Sequence, residues 1–383
     1  MKGTAAALVG LGSRTGWAQS DTIEIGWIQS TTGLIASTMR PLYVNAQIAI
    51  DKINSEGGIL GRKIVTRIED DESSPTKQPA LARKYADAGI NIVIGPSGTS
   101  QSLASVTAMT PMKIIQCAFA VVVDAVKFPY GFMCHIGIQS QIEAGTHFLA
   151  GKLKQTKIAI FKENTAYGEM AMPVYTSVLD QYGLKPLTVQ TFPLNAPDIT
   201  PYLLNLQRSG AECIGLTLAS TPALAMMFNT MASMKWFPVI VGNPTVLSEP
   251  LLKLVPAEAM QNVYGAHYKT LCFGDNYEPG PEQQAFAAKV ATFPQAKGFE
   301  AYLSGLPWYD FLHLLKKVVE QERSFDSEAI KRGFEGIRGY KGLLGTFNFS
   351  PDNHYGLTSD EVSISPVLSA NDPRAKGCFR GAV

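Results

Sequence analysis

Apolar segments of two different periods alternate along this chain, and a glycine follows four of the helical ones. Ile23–Ile28 reads as a β-rich run, and Pro41–Ser55 as a helix with Val44, Ile48 and Ile50 on a helical period. Gly57-Gly58 stops that helix, because glycine takes the left-handed C-cap conformation without steric cost. Strand Lys63–Glu69, helix Thr76–Ala88, strand Ile90–Ile94, helix Gln101–Thr110 and strand Met112–Phe119 follow. The pattern restarts with strand Lys157–Phe161, helix Tyr167–Tyr182, strand Pro186–Thr191 and helix Ile199–Ser209. Strand Cys213–Leu218, helix Thr221–Met234 and strand Val239–Val241 complete this second series. Two rounds of strand and helix predict an α/β chain with two doubly wound parallel-sheet domains. Phe299–Gln321 reads as a long helix, interrupted or started late at Pro307, and Gly345–Phe349 and Glu361–Val367 as strands that return to finished sheets.

The totals agree and exclude other classes. A length of 383 residues suits two domains, and 46% hydrophobic against 17% charged residues supplies their cores. Lys+Arg 33 against Asp+Glu 32 leaves no electrostatic footprint for nucleic acid. Residues 1–20, MKGTAAALVGLGSRTGWAQS, read as a signal peptide with a minimal basic start at Lys2 and small residues before Gln19. Arg14 sits awkwardly late in its apolar part, and the plainer alternative is an N-terminus without set structure. The five cysteines carry no metal spacing. An exported protein could pair some of them, whereas Cys117 and Cys213 read as small buried apolar residues in strands. The five histidines are dispersed, and no nucleophile or metal motif gathers them, so neither an enzyme nor a cofactor is expected. GPSGTS at 95–100 lacks the glycine pattern of a dinucleotide site.

Order and spacing add more. "NAQIAIDKINSEGGILGRKI", "EDDESSP", "GINIVIGPSGTSQS", "KIAIFKENTAYGEM" and "FNFSPDNH" occur in that sequence, between Asp21 and about Val367. In this the chain resembles the leucine/isoleucine/valine-binding protein family, the type I solute-binding proteins of ABC transporters. The resemblance implies two lobes joined by a three-strand hinge. Residues 21–137 plus 268–344 would form the first lobe, and 138–267 plus 345–383 the second. It also implies a monomer that closes on a small molecule and then docks on a membrane permease. Asp70 and Asp71 are expected to cap their loop rather than bind ligand.

The site residues follow from the same resemblance. The turn holding Ser97 and Thr99 leads into a helix N-terminus that suits a carboxylate. Relatives that bind amino acids resemble Ala-Ala-Thr at Ala118, Phe119 and Ala120, so one hydroxyl is missing here. Tyr167 matches the family's ligand-facing tyrosine, and Ser220 stands where relatives carry another. Relatives resemble Gly-Pro-Glu at Asn243-Pro244-Thr245, the glutamate neutralising an ammonium; this chain offers none. Arg40, near a cleft-lining tryptophan of relatives, suits a carboxylate, the alternative being a solvated loop residue. Without an acid, the expected ligand is a small carboxylate with an aromatic or aliphatic body and no required amine. A loop shift of a residue or two would instead bring Glu163 or Glu249 into the cleft and restore branched-chain amino acid binding. A cytoplasmic ligand-sensing regulator of the same fold is the alternative of another class.

Overall fold

A computed structural model describes residues 21–119, 124–297 and 307–383. The signal-peptide expectation for 1–20, the site expectation for Ala120 and the start of the helix expected at Phe299 lie outside the described residues.

Strands β1 (Thr22–Gln29), β2 (Lys63–Asp70), β3 (Ile92–Ser97) and β4 (Ile115–Phe119) form a four-stranded sheet in the order β2-β1-β3-β4. All of its pairings are parallel. Every residue of the central strand β3, IVIGPS, is buried, as expected for a strand covered by helices on both faces. β2 lies at the edge and leaves Val65 and Ile68 exposed. Helices α1 (Ala36–Met39), α2 (Val44–Ser55), α3 (Gln78–Asp87) and α4 (Thr99–Met109) connect these strands. A 3-10 turn at Arg40–Tyr43 leads into α2, so the helix expected from Pro41 starts three residues later. Gly58 closes it with φ +78, and a Cβ there would meet the Arg62 carbonyl oxygen at 2.1 Å. Only glycine fits both conditions.

After α5 (Ile138–Thr146), which the periodicity did not single out, the second series builds a six-stranded sheet. Its strands are β5 (Ile158–Glu163), β6 (Val189–Phe192), β7 (Cys213–Thr217), β8 (Val239–Gly242) and β9 (Val263–Tyr268), joined in chain order by α6 (Ala166–Asp180), α7 (Thr200–Arg208) and α8 (Thr221–Ser233). Those five strands are parallel, and a late strand, Val362–Pro366, adds antiparallel to β9. Separate clusters of buried side chains cover its two faces, one around Phe161, Leu224 and Phe228, the other around Ile160, Tyr175 and Ala266.

The segment 345–383, expected with the second lobe, is divided. Val362–Pro366 joins the second sheet, but Phe347, Phe349, Leu357 and Phe379 pack in the core that contains Ile25, Trp27 and Ile94. A helix at Trp308–Glu322, here α9, seals that first core. Trp308 is fully buried, and its indole N–H donates to the Cys117 carbonyl oxygen at 3.1 Å. Burying a side chain of that size stabilises by about 2–3 kcal/mol. All five cysteines are buried free thiols, so none of the pairings left open by the sequence occurs. No described helix is long and apolar enough to cross a membrane.

Candidate functional site

The carboxyl ends of the parallel strands from both sheets border one cleft of about 320 Å³. β3 delivers the turn Gly98–Gln101, β4 delivers Phe119, β5 ends at Glu163, and β7 leads to Ala219 and Ser220. β8 leads to Asn243–Thr245, and β9 ends with His267 and Tyr268. Ligand sites at such strand ends follow from parallel topology itself, because the helix N-termini and loops gather there.

On the first-lobe side the turn is shaped by Gly98, whose φ is +90. Thr99 is the first residue of α4, and Ser102 N–H is the first to find an intrahelical carbonyl, that of Gly98. The N–H groups of Thr99, Ser100 and Gln101 therefore lack helical partners and face the positive end of the helix dipole. Met39 and Ile35 from the α1 turn and Leu194 from the second lobe make the walls apolar. Phe119 packs at a tilt 5.0 Å from His135, centroid to centroid, which holds its ring in the wall.

On the second-lobe side Tyr167 and Asn243 form a fixed pair. Asn243 Nδ2 donates to the Tyr167 hydroxyl at 2.9 Å and to the Leu218 carbonyl at 3.2 Å, while its Oδ1 accepts from Thr245 N–H at 2.8 Å. The amide is thus spent on holding the loop and the tyrosine. Ser220 caps α8, its hydroxyl accepting from Ala223 N–H at 3.5 Å.

Five of the nine residues singled out by sequence line the cleft: Thr99, Phe119, Tyr167, Ser220 and Asn243. Three do not. Arg40 is exposed, and its Nε donates to the Thr31 carbonyl at 2.7 Å, because the helical turn aims Thr38 and Met39 at the cleft and the next residue away from it. Ser97 is fully buried behind the turn, against the Tyr43 hydroxyl. Ala118 is buried on the face of β4 opposite to Phe119, since neighbours on a strand face opposite sides. Asp70 and Asp71 are loop caps as expected: Asp71 accepts from Ser30 Oγ at 2.7 Å and Ser73 N–H at 2.8 Å, and Asp70 from Thr31 N–H at 3.0 Å.

The expectation of a cleft without a carboxylate is corrected. Glu163 lines it, 5% exposed, with Oε1 accepting from Thr165 Oγ1 at 2.5 Å and Oε2 from Ala219 N–H at 3.0 Å. Burial pushes its carboxyl up from the usual range, against the lowering effect of those two hydrogen bonds. Its place at the last residue of a parallel strand was the available signal. Glu249 is elsewhere, paired with the buried Arg380. Glu163 is the one carboxylate, and neither Lys nor Arg occurs, among the described residues lining the cleft.

Two α/β lobes border an apolar, sparsely charged cleft at their strand ends, an arrangement suited to enclosing a small molecule. A model of the periplasmic binding protein family matches residues 22–359. The chain belongs to that family, in its type I, leucine/isoleucine/valine-binding branch. It is 20% identical over 348 residues to Leu/Ile/Val-binding protein homolog 1 of Brucella abortus, covering 90% of this chain and 89% of that one. Among solved structures it resembles the substrate-binding protein LivJ of Streptococcus pneumoniae in complex with isoleucine, with TM-score 0.77, 19% identity and coverage of 94% and 99%. A solute-binding protein from R. palustris in complex with 4-hydroxybenzoate gives TM-score 0.75, 18% identity and coverage of 90% and 93%. These solved structures share the fold.

Proposed function

We propose that this chain is the extracytoplasmic solute-binding component of an ABC importer and that its solute is a small carboxylic acid with an aromatic or aliphatic body. The observation that carries the ligand class is the cleft itself. Its walls are apolar, its anion-attracting element is the N-terminus of α4 with Thr99 and Ser100, and the amide of Asn243 is already spent. A carboxylate at the α4 end meets unpaired N–H groups and hydroxyls, while Phe119, Met39 and Leu194 cover the rest of the ligand. Tyr167 and Ser220 belong to the opposite lobe, so their contacts form on closure and supply the differential affinity that closure requires. The closed monomer, exported through residues 1–20, would then dock on its membrane permease.

One observation favours a second reading, capture of a branched-chain amino acid: the Glu163 carboxylate could neutralise an ammonium. A thermal-shift screen of leucine, other amino acids, aliphatic acids and benzoate separates the two, since ligand bound only to the folded state raises its apparent stability. The proposal expects a shift with benzoate-like or aliphatic acids and little with leucine. A large shift with leucine and none with acids lacking the amine overturns it.

A further inference from the structure

We infer that His267 reads a hydroxyl on the ligand, so that the solute is a hydroxy-substituted carboxylic acid; this rests on the carboxylic-acid reading above. His267 is the penultimate residue of β9, whose last residue Tyr268 already packs in the first core, and both line the cleft. Its imidazole is 2% exposed, and neither Nδ1 nor Nε2 has a hydrogen-bond partner.

The other four histidines differ. Nδ1 of His135, His147, His313 and His354 meets Ile136 O, Tyr182 Oη, Tyr309 O and Gly131 O respectively, each within 2.8 Å. A buried polar group left unpaired is costly, so an imidazole with both nitrogens shielded and unpaired, on a residue that lines a ligand cleft, marks a place where something else completes it.

The chemistry of that partner follows from the charge state of the ring. Burial, and after it the nearby Arg380 cation, pulls the His267 pKa down to about 3, so the imidazole is neutral at ordinary pH. A neutral imidazole offers one donor and one acceptor. A hydroxyl answers both, being donor and acceptor at once. An ammonium answers only the acceptor and would enter the same unfavourable field that keeps the ring neutral. His267 therefore distinguishes a hydroxy acid from its deoxy analogue and from an amino acid.

Calorimetric titration of wild type, His267→Phe and His267→Gln with benzoate, 3-hydroxybenzoate and 4-hydroxybenzoate tests this. Wild type should prefer at least one hydroxybenzoate over benzoate by about tenfold or more, because a site built around a hydroxyl penalises its loss. His267→Phe should erase that preference, bringing the hydroxybenzoate down to the level of benzoate, while His267→Gln, with one donor and one acceptor, should retain part of it. In wild-type protein the imidazole nitrogen resonances of His267 should move with the preferred hydroxybenzoate and not with benzoate, a readout that needs no variant to fold. Equal affinity of wild type for all three acids overturns this inference alone. So does a preference that survives in His267→Phe, the mark of a ring completed by enclosed water. Binding of leucine with none of the three acids overturns both this inference and the ligand reading beneath it.

Discussion

Replacing Glu163 by Gln separates the two ligand chemistries that this cleft admits. The glutamate accepts from Thr165 Oγ1 and from Ala219 N–H, and it is buried. Gln keeps an oxygen for the Ala219 N–H and turns its amide NH₂ toward the Thr165 hydroxyl, which can accept. What is lost is charge assistance, about 0.5–1.5 kcal/mol, and what is regained is the cost of burying a charge, whose sign shows in the raised carboxyl. The two nearly cancel, so the free protein should change in stability by less than about 1 kcal/mol in urea melts. The ligand arm is decisive. An ammonium that loses its carboxylate partner forfeits about 2–5 kcal/mol, or roughly 30- to 4,000-fold in affinity. A ligand with only a carboxylate loses nothing and is relieved of a like charge, so its affinity should hold or tighten by up to about threefold. Calorimetric titration of E163Q with benzoate and with leucine reads the difference. Loss of benzoate affinity by more than about tenfold in a variant of unchanged stability refutes the reasoning.

Gly168→Ala should disturb the same wall sterically: a Cβ there would stand 1.9 Å from the Glu163 carbonyl oxygen, where contacts under 3.0 Å essentially never occur. The start of α6 must back away from β5, costing about 1–3 kcal/mol in a denaturant melt and weakening ligand binding through Tyr167. Glu249→Ala leaves the fully buried Arg380 guanidinium without its carboxylate, and a loss of about 3–5 kcal/mol is expected in the same assay. Asp310, in the first turn of α9, is buried and accepts from Leu343 N–H at 2.7 Å and Leu344 N–H at 2.9 Å; burial pushes its pKa up from 3.8 to about 7. Because the folded pKa lies above the unfolded one, the folded state keeps a proton that the unfolded chain has lost. This group's contribution is full below about 3.8 and declines as pH rises through about 7. Urea midpoints measured across that range should show the decline, of about 2–4 kcal/mol, and Asp310→Asn should flatten it.

How much of this was legible in the residues alone depends on how local the cause is. β3 and β7 were readable because a strand buried on both faces must be apolar throughout, and the stop at Gly58 because its conformation admits little else. The cleft followed from parallel topology, and Thr99, Tyr167 and Ser220 from strand ends and resemblance together. Arg40, Ser97 and Ala118 went astray by a single position. One residue turns a helical side chain by about 100° and flips a strand side chain to the other face, so a loop alignment good to one residue still misplaces the contact.

The residues by themselves determined the alternation of strand and helix, the two sheets and the edge of those sheets at which a ligand gathers, because period and glycine stops act over a few neighbours. Tertiary structure alone decided that Glu163 is a buried wall of the cleft, that Glu249 serves Arg380, and that His267 lacks a partner. Each of those facts depends on which distant segment comes to rest against the side chain: Ala219 on Glu163, the chain's final strand on Glu249, and around the imidazole a packing that buries it without a hydrogen bond. Burial and hydrogen-bond completion are properties of the packed surroundings, and no short stretch of sequence contains them.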